Sequence, residues 1–184
     1  MQLNKLAIIL PGIGYHKDKP LLYYAAKLAK HSGFEIINIE YYDLPGNIKG
    51  DAIKMQDAAE IAYRQTEEQL SNVDLGKYEK ILFIGKSIGT VVVSRFVSEH
   101  EINADQIWYT PLEATFDFPK ERVIAFIGDA DPWSDVNKVK DLAEKMRIPL
   151  YSYPDGNHSL ETGDVIKDIG YLKDIMYRSK EYFN

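Results

Sequence analysis

The chain has 184 residues and a net charge of −6, a length that predicts one domain spanning residues 1–184 with a sizeable core. The acidic balance argues against nucleic acid as a partner, because nothing would offset the repulsion from a polyanion. With no cysteine and only four histidines, disulfides, thiolate metal sites and a cysteine nucleophile are excluded, and few general bases remain.

The first apolar run, Leu6–Leu10, is short, follows Lys5 and stops at Pro11-Gly12. It is too short for a secretory signal, and no stretch reaches the ~18 apolar residues of a membrane span, so the expectation is a cytoplasmic protein with no membrane partner. Beyond it, Phe34–Ile39, Lys80–Ile84, Gln106–Tyr109, Val123–Ile127 and Ile148–Tyr153 read as further strands. Most are apolar throughout, as suits strands buried on both faces of a parallel sheet. Between them Lys19–His31, Asp51–Leu70, Ile88–His100, Ser134–Met146 and Val165–Tyr182 read as helices. In the fourth helix Val136, Val139, Leu142, Ala143 and Met146 recur at three- and four-residue steps, with Ser134 as the expected N-cap. Asp51–Leu70 is the most polar helix, with a thin stripe of Ile53, Ala58, Ile61, Ala62 and Leu70. This β-α alternation predicts a three-layer α/β/α sandwich of about six mostly parallel strands. Ligands in such a sheet sit beyond the carboxyl ends of the strands, which directs attention to the loops that follow them.

Two glycine motifs in those loops invite a nucleotide reading, and both fail on spacing. A P-loop ending at Gly85-Lys86-Ser87 needs a glycine where Lys80 stands, and a dinucleotide fingerprint from Gly12-Ile13-Gly14 needs one where Lys17 stands. Gly85-Lys86-Ser87-Ile88-Gly89 does satisfy Gly-x-Ser-x-Gly between a strand and a helix. In that context the serine sits on a sharp turn at a helix N-terminus, where amides stabilise developing negative charge. A structural helix start with incidental glycines is the plainer reading, and the context disfavours it.

A serine nucleophile needs a base, and the base needs an orienting acid. His158, in the loop after the last strand, is the candidate base; His31 and His100 fall at helix ends, and His16 precedes the serine. Gly128-Asp129-Ala130-Asp131-Pro132-Trp133 offers two acids in the preceding strand-end loop. The order Ser87, Asp131, His158 is the order found in α/β hydrolases, with each residue on a different loop.

On Gly85-Lys86-Ser87-Ile88-Gly89, Gly128-Asp129-Ala130-Asp131-Pro132 and Gly156-Asn157-His158-Ser159, the chain resembles the α/β-hydrolase superfamily over nearly its whole length. The likeness is to its small esterases and dienelactone-hydrolase-like members. It implies that the triad acid is Asp131, the aspartate before proline, with Asp129 as the alternative. It also implies an oxyanion hole of the Ile13 and Ile88 amides, with Gly12 beside the substrate and Pro11-Gly12 replacing the usual His-Gly. Set against that family, the chain is expected to lack the two leading antiparallel strands. Only Thr110 to Glu121 stands where a lid is usually inserted, so the expected fold is a minimal, lidless one with an open site. Leu112, Phe116 and Trp133 are candidates for an apolar acyl pocket, with Phe118 and Tyr153 nearby; Glu113 is expected at the surface. Lys86 either meets an anionic substrate or points into solvent.

The expected activity is a serine hydrolase cleaving a small-molecule carboxylic ester or thioester, with no cofactor and no metal. The alternatives are a C–C or peptide-bond hydrolase using the same triad and a non-catalytic hydrolase-like binding protein.

Overall fold

A computed structural model describes residues 4–118 and 121–183. Six strands form one wholly parallel sheet: β1 (Lys5–Leu10), β2 (Phe34–Asn38), β3 (Lys80–Lys86), β4 (Asp105–Tyr109), β5 (Val123–Gly128) and β6 (Leu150–Tyr153), in the spatial order β2-β1-β3-β4-β5-β6. The helices between and after them are α1 (Pro20–His31), α2 (Ala52–Leu70), α3 (Ile88–Glu99), α4 (Val136–Lys145) and α5 (Val165–Phe183). Among the described residues no helix is long and apolar enough to cross a membrane.

The period-two alternation of the strands divides the core in two. Leu6, Ile8 and Leu10 of β1 and Phe83 of β3 face α2, α3 and α4. Ala7 and Ile9 of β1 and Leu82 and Ile84 of β3 face α1 and α5. Each central strand thus buries both faces, which explains its continuous apolar character.

Chain order reverses between β1 and β3, since β2 lies on one side of β1 and β3 on the other. The crevice at such a switch point is where loops diverge and leave room for a ligand. The loops after β1 and β3 flank it, and they carry Pro11–Gly14 and Ser87.

The expected helices are present, with local differences. Asp135, rather than Ser134, caps α4 by accepting from the Lys138 amide at 3.1 Å, while the Ser134 hydroxyl donates to the Pro111 carbonyl. A carboxylate at that end also suits the positive pole of the helix, which favours aspartate over the neighbouring serine. Ile53 of the expected α2 stripe is exposed instead. The connection from β4 to β5 contains a 3₁₀ turn, Glu113–Asp117, which has too few residues to show a period in the sequence. That turn is tied to α3 by buried polar contacts: Thr90 Oγ1 lies 2.7 Å from Thr115 Oγ1, and the Ser94 hydroxyl donates to the Thr115 carbonyl.

Candidate active site

Ser87 is the junction between β3 and α3, with φ 54° and ψ −121°. A non-glycine residue there carries backbone strain of about 1–3 kcal/mol, which only a well-packed surround sustains. The surround is backbone against backbone. A Cβ on Gly85 would lie 2.7 Å from the Gly89 carbonyl oxygen, and one on Gly89 would lie 2.5 Å from the Leu10 carbonyl oxygen. The two glycines therefore serve different contacts: one lets the turn close on itself, the other lets α3 start against the end of β1. The Ser87 amide is anchored to the Tyr109 carbonyl at the end of β4.

The structure brings Ser87, His158 and Asp131 together. Ser87 Oγ lies 2.7 Å from His158 Nε2, and His158 Nδ1 lies 2.7 Å from Asp131 Oδ2. The other Asp131 oxygen accepts from the Trp133 amide at 2.9 Å. The Asp131 carboxylate is fully buried and the imidazole 16% exposed. Asp129, the alternative acid, points elsewhere and accepts from the Asp155 amide at 2.6 Å. It ties the loop after β5 to the loop after β6. The same two loops touch where Gly128 meets Gly156; a Cβ on Gly128 would lie 2.0 Å from the Gly156 carbonyl oxygen. Asn157 then folds the His158 loop around itself, its side-chain oxygen accepting from the Ser159 and Glu161 amides.

The loop after β1 lies against the serine. Gly12 packs so closely that a Cβ there would be 3.2 Å from both Ser87 Cβ and the Lys86 carbonyl oxygen. Paired backbone bonds between Gly12 and Tyr15 close a tight turn that contains Ile13. Ile13 is thereby held on the β1 side of the serine, while Ile88 opens α3 as the residue after it.

Two sequence expectations are corrected. Lys86 neither meets solvent nor lines the crevice. It is 1% exposed because β3 continues through residue 86, so its side chain follows Ile84 toward the α1/α5 face. Its Nζ stands 5.0 Å from the centre of the Tyr15 ring, which is pinned by the Leu21 amide donating to the Tyr15 hydroxyl. Burial pushes the Lys86 ammonium down to about 7, against the opposing pull of Asp131. Phe116 is buried in the core instead, packed edge-on against Trp108 with 5.5 Å between ring centres. One flank of the site is lined by Trp133. Trp133 stacks on the His158 ring at 5.5 Å, and Lys49 from the loop before α2 stands 5.6 Å from the Trp133 ring centre. Tyr153 lies under the site and donates to Asp174, and Glu113 accepts from the Asp135 amide.

Electrostatics keep His158 neutral. Desolvation first, and then the nearby Lys86 and Lys49 charges, hold its imidazole below the ordinary value of 6.5, while Asp131 works in the opposite direction. A neutral imidazole whose Nδ1–H donates to Asp131 presents a lone pair on Nε2 to the Ser87 hydroxyl.

On the α2/α3 side of Ser87 a cavity of about 700 Å³ opens, and Leu112 and Trp133 border it as expected. Its longer walls, from α2 and α3, were not foreseen, because an apolar helix stripe reads equally well as core. The thinness of the α2 stripe was the available signal.

No family model matches the chain, and no curated protein matches its sequence. Its fold is shared with solved structures. It superposes on a lidless α/β serine hydrolase from Xanthomonas campestris with a TM-score of 0.66 and 16% identity, over 100% of this chain and 84% of that one. An esterase from Pyrococcus furiosus gives 0.68 and 14%, over 98% and 82%. Est1E from Butyrivibrio proteoclasticus gives 0.68 and 14%, over 99% and 88%. The architecture is the α/β-hydrolase fold.

Proposed function

We propose that the protein is a serine hydrolase that cleaves carboxylic esters or thioesters. The reading rests above all on the hydrogen-bonded order Ser87–His158–Asp131, with a strained Ser87 at its head. The likeness to an esterase and a lidless serine hydrolase supports the same reaction class.

In this mechanism the Ser87 hydroxyl donates its proton to Nε2 of neutral His158 as Oγ attacks the carbonyl carbon. The electron pair of the carbonyl moves onto its oxygen, which meets the Ile88 amide at the start of α3 and the Ile13 amide of the β1 loop. Two such donors stabilise charge that the ground state lacks; the loss of one typically costs about 10²–10³ in rate. Asp131 fixes the tautomer of His158 and stabilises the imidazolium. Collapse expels the alcohol or thiol, which takes the proton back from Nε2, and leaves an acyl group on Ser87. Water then attacks with His158 as base, releasing the acid. No cofactor takes part in these steps.

The test is pre-steady-state hydrolysis of p-nitrophenyl esters and acyl thioesters. A burst of about one product per protein is expected, since the acyl group is held on Ser87. Ser87→Ala should abolish the burst and lower kcat by about 10⁵–10⁶. Turnover that survives Ser87→Ala would refute the mechanism.

A further inference from the structure

We propose that the groove between α2 and α3 is an acyl site for a straight, uncharged aliphatic chain of medium length. The proposal rests on the serine-hydrolase reading for the position of the scissile carbonyl, and it adds what that reading does not contain: which acyl groups fit.

The groove begins where the nucleophile helix begins. Ile88, Val91, Val92 and Arg95 border it from α3. Their spacing is that of one helix face, so they form a rail leading directly away from Ser87. Met55, Ala59 and Tyr63 face them from α2, again at helical spacing. From Ile88 to Arg95 the rail rises ~10 Å, the length of an extended chain of roughly eight carbons. Near Ser87, Leu112 and Trp133 complete its apolar wall.

The far end fixes the chemistry of the tail. Arg95 is the cation there, and its charge is already engaged. Its guanidinium lies 3.9 Å from the centre of the Tyr63 ring, with Nη1 on Glu60 and Nε on Glu99 at 2.9 Å. A terminal carboxylate would have to displace Glu60. It would also meet Glu99, the second carboxylate on Arg95, in a groove that Asp51, Glu113 and Asp117 already make acidic. Acids at the end of the chain are therefore disfavoured, and a methyl terminus fits. A polar chain would leave its own hydrogen bonds unmade against the valines.

The expected readout is the chain-length profile for p-nitrophenyl esters from acetate to dodecanoate. Each added methylene that enters the groove should raise kcat/KM roughly threefold until the groove is filled at about C6–C10, followed by a plateau or fall. The ester of octanoic acid should exceed its terminally carboxylated C8 counterpart at least ~10-fold. Val91→Phe should lower the C8-to-C2 ratio at least ~10-fold by filling the rail. Ala59→Leu, on the opposite wall, should move the ratio the same way if the first variant folds poorly. A flat profile, a maximum at acetate, equal use of the carboxylated ester, or an unchanged ratio in both variants would overturn the proposal. If no ester is turned over and a fluorophosphonate leaves Ser87 unlabelled, the catalytic reading fails on its own. Calorimetric binding of intact p-nitrophenyl octanoate against acetate then still decides the groove. Tighter octanoate binding, lost in Val91→Phe, supports it, and equal binding overturns it.

Discussion

The two halves of the site are held by different forces. On the β1/β3 side, Ser87 is fixed by backbone lying on backbone: Gly85 on Gly89, Gly89 on Leu10, Gly12 on Ser87. On the β5/β6 side one backbone contact, Gly128 on Gly156, underlies the loops, but Asp131 and His158 themselves are aimed by hydrogen bonds, through the Trp133 amide, Asn157 and the Asp129 tie. The contrast separates two kinds of damage. Altering the first half should disturb folding, because nothing flexible is present to give way. Altering the hydrogen bonds of the second should leave the fold and disturb alignment.

The largest effect tests the second half. Asp131→Asn keeps the volume but loses the charge that fixes the imidazole tautomer, and kcat for a simple ester should fall by about 10⁴ with a near-normal melting temperature. Asp129→Asn should stay within about tenfold of wild type, because its carboxylate only braces the Asp155 amide. Equal losses in the two variants would dissolve the distinction between the acids.

The first half is broken by Gly89→Ala. Its Cβ would stand 2.5 Å from a carbonyl oxygen of the central strand, and overpacking of that kind costs about 1–3 kcal/mol, here at the upper end because the obstacle is backbone. Chemical denaturation should record that loss. Gly128→Ala is an informative intermediate, since the atoms in its way belong to the Gly156–Asn157 turn next to the base. It should lower both stability and activity, whereas a loss of stability alone would mean that the loops move without carrying His158 with them.

The smallest effects concern Lys86, which belongs to neither mode of support. Its folded value, depressed from 10.5 to about 7, means that the unfolded chain binds more protons between those limits. Stability from this group is therefore lost as pH falls from 10.5 toward 7 and regained as pH rises. Lys86→Met should abolish that slope and raise stability at neutral pH, as seen in denaturation midpoints from pH 7 to 10. It should also move the acid limb of the kcat/KM profile to higher pH, because the Lys86 charge helps hold His158 below its ordinary value. An acid limb that stays where it was would remove Lys86 from the electrostatics of the base.

Much of this was legible in the chain. The six strands and five helices follow from apolar runs alternating with amphipathic ones, and Ser87, Asp131 and His158 stand out because each falls on a different strand-end loop. Strand order is a matter of packing between distant segments and leaves no local mark. The apolar run ends at Ile84 and so does not reveal the burial of Lys86; the strand runs two residues further, and its alternation turns that side chain into the core. Phe116 was drawn to the pocket by its neighbours in sequence, but Trp108 offered a better-packed partner in the core. The α2/α3 groove was hidden for a different reason. Val91 and Val92 have the spacing of core residues, and only the weak apolar stripe of α2 hinted at a groove between the two helices.

The central claim is that Ser87 is a nucleophile activated by His158, and covalent labelling tests it most directly. Incubation with a fluorophosphonate at pH 8, followed by intact-mass and peptide-mapping measurements, should give one adduct per chain on Ser87. Labelling should be slowed by about 10³-fold or more in His158→Gln and be absent in Ser87→Ala. No adduct on Ser87, or labelling of Ser87 that is as fast without His158, would contradict it.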